Sequence, residues 1–213
     1  WDFALGGVAL ALSVRDGKVA SARVVLSGVA PIPWRVPEVE RLLTGRALDA
    51  QALIADWGEL DAIITTFPDP RSPAALPGNP APDGRYRLAG WLYCLFERHW
   101  SLRGMVNALA DFYTDPGPVH RLYRACTDFY AGLIDRIGTE LHADGVFTSD
   151  DIGMQTGPFF RETIFDEFFA PYYRELAEHA HARGMHFWLH ACGNIEPFIP
   201  KLIDLGLDVL HPI

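Results

Sequence analysis

From residue 85 onward the chain alternates strand-like and helix-like segments, and this alternation constrains its fold more than any other feature. Residues 86–91, 145–148, 185–189 and 207–210 read as short strands. Between them, residues 105–112 look helical. Val119, Leu122, Cys126, Phe129, Leu133, Ile137 and Leu141 recur on one face of a helix over 118–141. Pro171 suits the first turn of another helix that Gly184 stops, and residues 198–205 form a last helix stopped by Gly206. Strand, helix, strand, helix, strand means parallel βαβ units, because parallel neighbours need a crossover. The fold class expected is therefore α/β.

The N-terminal part follows another pattern. Residues 3–14 form an apolar, β-like run, Asp16-Gly17-Lys18 is a turn signal, and residues 19–26 alternate in part. This predicts a β-hairpin in a small α+β segment. Pro31 and Pro33 break the chain, Pro37 can open a short helix through Leu43, and Gly45 can end it. Residues 65–84 carry Pro68, Pro70, Pro73, Pro77, Pro80 and Pro82, a density that excludes regular structure. The expected division is a first segment over 1–53, a Pro-rich linker or loop over 54–84, and an α/β part over 85–213.

Composition narrows the partners. The net charge of −9 repels phosphate backbones, so nucleic-acid binding is not expected. Cys94, Cys126 and Cys192 are too few and odd in number for a disulfide framework, which fits a reducing cytoplasm. The longest apolar run, 3–14, is too short to span a bilayer and follows no basic segment, so no membrane association is expected. The chain starts at Trp1 and closes on a strand-like Asp208-Val209-Leu210-His211-Pro212-Ile213, which suggests a piece of a longer protein.

In βαβ proteins the chemistry sits where strands end. The strand at 145–148 runs into Ser149-Asp150-Asp151 and Gln155, that at 185–189 into His190-Ala191-Cys192, and that at 207–210 into His211. A thiolate and an imidazole two positions apart can share one Zn²⁺. They can equally be a buried Cys beside a capping His, and two ligands alone do not make a site. Asp150 and Asp151 are candidates for acid–base work, since adjacent carboxylates in a cleft raise each other's pKa, or they are a solvated loop or helix cap. Gln155 and His211 are candidates for holding substrate, with a surface amide and a satisfied structural histidine as alternatives. Cys94, Cys126, Trp91, Phe96, Trp100 and Phe112 read as packing, and Arg98 and Arg103 as helix-surface cations.

Several segments then carry a family resemblance: Glu97-Arg98-His99-Trp100-Ser101-Leu102-Arg103-Gly104-Met105, Asp111-Phe112-Tyr113, residues 144–153, Leu189-His190-Ala191-Cys192-Gly193-Asn194-Ile195 and residues 204–210. In order and spacing, residues from about 55 to 213 resemble the uroporphyrinogen decarboxylase superfamily. The resemblance implies a (β/α)8 TIM-type barrel, of which this chain would form a part. One branch decarboxylates uroporphyrinogen without a cofactor. Another uses zinc to move methyl groups from corrinoid proteins to thiols, with a His-x-Cys and a later Cys as ligands. His190 and Cys192 match the first half of that motif, which favours the methyltransferase-like branch, and the later Cys would fall beyond Ile213. The implied partners are a small-molecule substrate and a corrinoid protein. An incomplete barrel would also expose a sheet edge, so self-association is expected.

Residues 1–53 resemble something else. Asp2-Phe3-Ala4-Leu5, the Asp16-Gly17 turn, Ala22-Arg23-Val24 and residues 28–35 are similar to the C-terminal domain of the flavin subunit of molybdenum hydroxylases, the carbon monoxide and xanthine dehydrogenase group. That family holds its flavin mainly with earlier domains, so no FAD is expected here. The resemblance makes a docking role for this segment an alternative to catalysis.

Overall fold

The computed structural model describes residues 7–16, 18–27, 34–35, 37, 40–41, 44–45, 54–72, 75–76 and 84–212. The chain divides into two compact units, Trp1–Gln51 and Ala52–Ile213.

In the first unit, β1 (Gly7–Arg15) and β2 (Lys18–Ser27) form the expected antiparallel hairpin, with a register shift between Ser13 and Val14. Asp16 turns the chain at φ 54°, a left-handed conformation that Asp tolerates better than most residues. A short β3 (Trp34–Arg35) pairs with β2 at Val25 and Leu26. Pro37, Glu40 and Arg41 are helical, and Gly45 adopts φ 85° and donates its N–H to the Val19 carbonyl. The breaks expected at Pro31 and Pro33, and most of the 37–43 helix, lie outside the described residues.

The second unit begins at Ala52, well before the boundary at residue 85 that the alternation of strands and helices suggests and close to residue 55, where the family resemblance starts. Residues 54–64 are not a linker: Ile54 and Leu60 are fully buried in the core. A 3-10 turn, Trp57–Glu59, leads into α1 (Leu60–Ile64). A capping box fixes its start, with the Gly58 N–H donating to Asp56 and the Asp56 N–H donating to Glu59. Pro68 and Pro70 lie in the turns that follow, whereas Pro73, Pro77, Pro80 and Pro82 lie outside the described residues.

Then comes β4 (Leu88–Trp91), followed by α2 (Phe96–Arg103), α3 (Met105–Thr114) and α4 (Pro116–Arg136). The long helix starts at Pro116 rather than Pro118, and its last turn, Ile137–Leu141, widens into a π-helix. Next are β5 (Gly145–Ser149), α5 (Glu162–Phe168) and α6 (Ala170–Ala182). The sequence pattern gives no separate signal for α5. The chain continues through β6 (His186–His190), α7 (Ile199–Asp204) and β7 (Val209–His211).

The sheet order is β4-β5-β6-β7, parallel throughout, with each strand beside the next in sequence. Mixed α/β structure on a parallel sheet is thus what forms. Phe187 and Leu189 of β6 are buried in the core, while His186, Trp188 and His190 point to the other face, as the two-residue period of a strand requires. The core is rich in aromatic rings: Phe96, Phe112, Phe160, Phe165, Phe169 and Phe198 stack or meet edge-on.

One buried polar network ties residues 54–57 to this core. Arg103, expected on a helix surface, is instead buried. Its guanidinium grips Asp111 through two bonds of 2.8 Å and donates to the carbonyls of Ile54 and Ala55. His99 joins Asp111 at 3.1 Å, and Trp57 donates to the same carboxylate. Burial works to raise the Asp111 carboxyl, but Arg103 and His99 together hold it down at about 2.

Candidate metal centre at the strand ends

Asp150 and Asp151 follow β5 directly but face opposite ways. Asp150 is fully buried, and its carboxylate accepts the N–H groups of Leu95, Phe96 and Glu97 at 2.8–3.1 Å and the Tyr173 hydroxyl at 2.6 Å. It therefore holds the first turn of α2 against β5 and α6, a helix-end role. Burial pushes its carboxyl up, against the pull of those four donors. The placement suits an anchor better than the acid–base role expected of it.

Asp151 turns outward instead. Its Oδ1 accepts the backbone N–H of Cys192 at 2.7 Å and lies 3.6 Å from His190 Nε2. His190 Nε2 is in turn 3.2 Å from Cys192 Sγ. Donor atoms of Asp151, His190 and Cys192 all lie within 4.8 Å of one another, which is metal-ligand proximity. Two of these residues come from the motif at the end of β6, and the third comes from the end of its parallel neighbour β5.

Two glycines permit that approach. Gly193 adopts φ +85°, and a Cβ there would lie 2.4 Å from the Gly153 carbonyl carbon. A Cβ on Gly153 would meet the Cys192 carbonyl oxygen at 2.7 Å. The two loops are pinned by the Asn194 N–H donating to the Met154 carbonyl at 2.6 Å. Only backbone without side chains fits between them.

His211, the last residue of β7, sits in register with His190, and their Nδ1 atoms are 2.9 Å apart. Burial pushes the His190 imidazole down, as does His211, while Asp151 draws it up. Burial first, and the Asp151 charge next, push the Cys192 thiol up. Gln155 is exposed in the loop beyond and makes no hydrogen bond to this group. Cys94 and Cys126 are buried, as their apolar surroundings foretell.

Glu97 is the group that strand-end reasoning does not find. It lies in the first turn of α2, accepts a hydrogen bond from the Ser149 hydroxyl, and is buried. Burial pushes its carboxyl up to about 7; the Ser149 bond opposes this and the charges of Asp150 and Asp151 add to it. Its helical position in an aromatic stretch gives no sign of a contact 52 residues away.

A parallel α/β sheet with metal-type donors at its strand ends defines the class. Residues 94–212 match the uroporphyrinogen decarboxylase (URO-D) family, and the chain belongs to that family. Residues 1–76 match the CO dehydrogenase flavoprotein C-terminal domain, a match that runs past Gln51, where the first compact unit ends. Among solved structures, a methyltransferase from Methanosarcina mazei is similar, at 16% identity and a TM-score of 0.48, over 84% of this chain and 48% of that one. The chain thus spans about half the length of that methyltransferase. No curated protein matches it. Among the described residues, no helix is long and apolar enough to cross a membrane.

Proposed function

We propose that this chain is part of a (β/α)8-barrel methyltransferase that uses zinc to pass a methyl group from a corrinoid carrier protein to a small thiol. The observation that carries this is the convergence of Asp151, His190 and Cys192 at adjacent strand ends, in a chain of the uroporphyrinogen decarboxylase family. Four parallel strands in sequence order, with helices between them, are the repeating unit of such a barrel.

The donor set fits zinc. Nitrogen, oxygen and sulfur ligands at zinc bond lengths stand about 3.3–3.6 Å apart around a tetrahedron; His190 Nε2 lies 3.2 Å from Cys192 Sγ and 3.6 Å from Asp151 Oδ1, and all three donors lie within 4.8 Å of one another. His190 Nε2, Cys192 Sγ and Asp151 Oδ1 would hold the ion. Three protein ligands, whether Asp151 or the later Cys of the motif completes the set with His190 and the exposed Cys192, would leave a position for substrate, the pattern of a catalytic rather than a structural site. Bound there, zinc lowers the pKa of a coordinated thiol and so supplies a thiolate nucleophile at neutral pH.

The chain's own residues do the rest. Asp151 fixes the Cys192 backbone by accepting its N–H, and the Gly153–Gly193 contact sets the spacing of the two loops. Burial pushes the carboxyl of Glu97, close to Asp151, up to about 7, which favours its protonated form beside the site. The test is zinc content per purified chain. About one zinc in the wild type, and none in Cys192→Ser or His190→Ala, is the expected result. Equal methyl transfer from methylcobalamin to a thiol by zinc-loaded wild type and Cys192→Ser would sink the mechanism.

A further inference from the structure

His211 has no part in the donor group itself, yet its ring lies against the one nitrogen of His190 that the group does not use. His190 Nε2 faces Cys192 Sγ at 3.2 Å and Asp151 Oδ1 at 3.6 Å, whereas His190 Nδ1 faces His211 Nδ1 at 2.9 Å. A neutral imidazole carries its proton on one nitrogen only, and a metal needs the other bare. If Nε2 is to offer its lone pair, the proton must sit on Nδ1, and Nδ1–H then needs an acceptor. Among the described residues, His211 is its hydrogen-bond partner.

The backbone holds this contact in place. His190 and His211 are register partners in the parallel β6–β7 pair, and the Ala191 N–H donates to the His211 carbonyl at 3.1 Å. Side chains in register on neighbouring strands share a face of the sheet. The Phe147 ring, one strand over, lies 6.3 Å from the His190 ring and 6.1 Å from that of His211, and closes the pair from one side.

We infer that His211 is a positioning residue: its Nδ1 accepts the Nδ1–H of His190, which fixes the tautomer that leaves His190 Nε2 unprotonated and aimed at Cys192 and Asp151. Deeper shells that orient a ligating histidine act in this way. For its consequence in metal binding the inference rests on the zinc reading above, but the tautomer itself can be read without any metal.

The experiment is long-range ¹H–¹⁵N correlation on the histidine rings of the full chain, metal-free and at a pH where His190 is neutral, followed by zinc titration. The wild type is expected to show His190 protonated on Nδ1. In His211→Ala the proton moves wholly or partly to Nε2, and zinc affinity drops about 10- to 100-fold. His211→Asn, whose side-chain oxygen can stand where Nδ1 stood, restores the Nδ1–H form and most of the affinity. A wild type with the proton on Nε2 overturns the inference, whatever the variants do. So does a folded His211→Ala chain that keeps the proton on Nδ1. A wild type with the expected tautomer that takes up no zinc leaves His211's positioning role intact and removes the zinc reading instead.

Discussion

Glu97 shows how far burial can move one carboxyl group. In an unfolded chain it ionises near 4.5, and in the folded protein near 7. Between those values the folded state holds a proton that the unfolded state has lost. The stability it confers is complete below about 4.5 and is lost as pH rises through 7, a change on the order of 3 kcal/mol. Glu97→Gln cannot ionise. It should match the wild type at about pH 4, exceed it in stability at about pH 8, and flatten the profile between; urea unfolding at the two pH values reads this directly. Asp111 has the opposite sign. Its carboxyl is held at about 2, so its contribution is present above about 3.8 and fades as pH falls through 2. Asp111→Ala leaves Arg103 buried without its partner, and a loss of roughly 3–5 kcal/mol is expected in thermal or urea unfolding.

At the scale of elements, the site belongs to the contact between two loops. The Gly193→Ala variant adds a Cβ 2.4 Å from Gly153 in a left-handed backbone conformation. It should cost about 1–3 kcal/mol and push Cys192 away from Asp151, with zinc uptake falling more steeply than stability. Equal zinc affinity in a folded Gly193→Ala chain would show that the loop contact does not set the site. The strand ends that carry these loops were legible from the alternation of strand and helix patterns, and His190 and Cys192 from their motif. The division of labour between Asp150 and Asp151 was not. Adjacent residues point to opposite sides, and which side is core depends on Tyr173 and the start of α2, both distant in sequence. Residues 54–64 were misread for a similar reason: no long periodic pattern marks them, and only Ile54 and Leu60 are buried, in a core built from residues distant in sequence.

For the whole molecule, the described sheet has an outer strand at each end, β4 and β7, paired on one side only. Tyr86, Leu88, Leu92 and Tyr93, in and beside β4, are each more than 40% exposed. Open edges beside apolar side chains favour association. Sedimentation should show species heavier than one chain that grow with concentration, and a single monomer at high concentration would contradict this. The donors all lie in the second unit, so a chain lacking residues 1–51 should take up zinc as the full chain does.

The two halves of the donor group lie 41 residues apart and meet only because β5 and β6 pair in one register, Ser149 opposite His190. A slip of two residues would carry Asp151 about 7 Å away, and a slip of one would turn it to the other face. Parallel pairing across a long crossover is among the slower events in folding, because chain entropy is lost before contacts form. A cobalt ion, whose visible bands strengthen as it passes from water into a tetrahedral site closed by Asp151 as well as His190 and Cys192, would therefore act as a clock for that event. Its absorbance should strengthen with the closing of the β5–β6 pair and lag behind the earlier rise of helical signal.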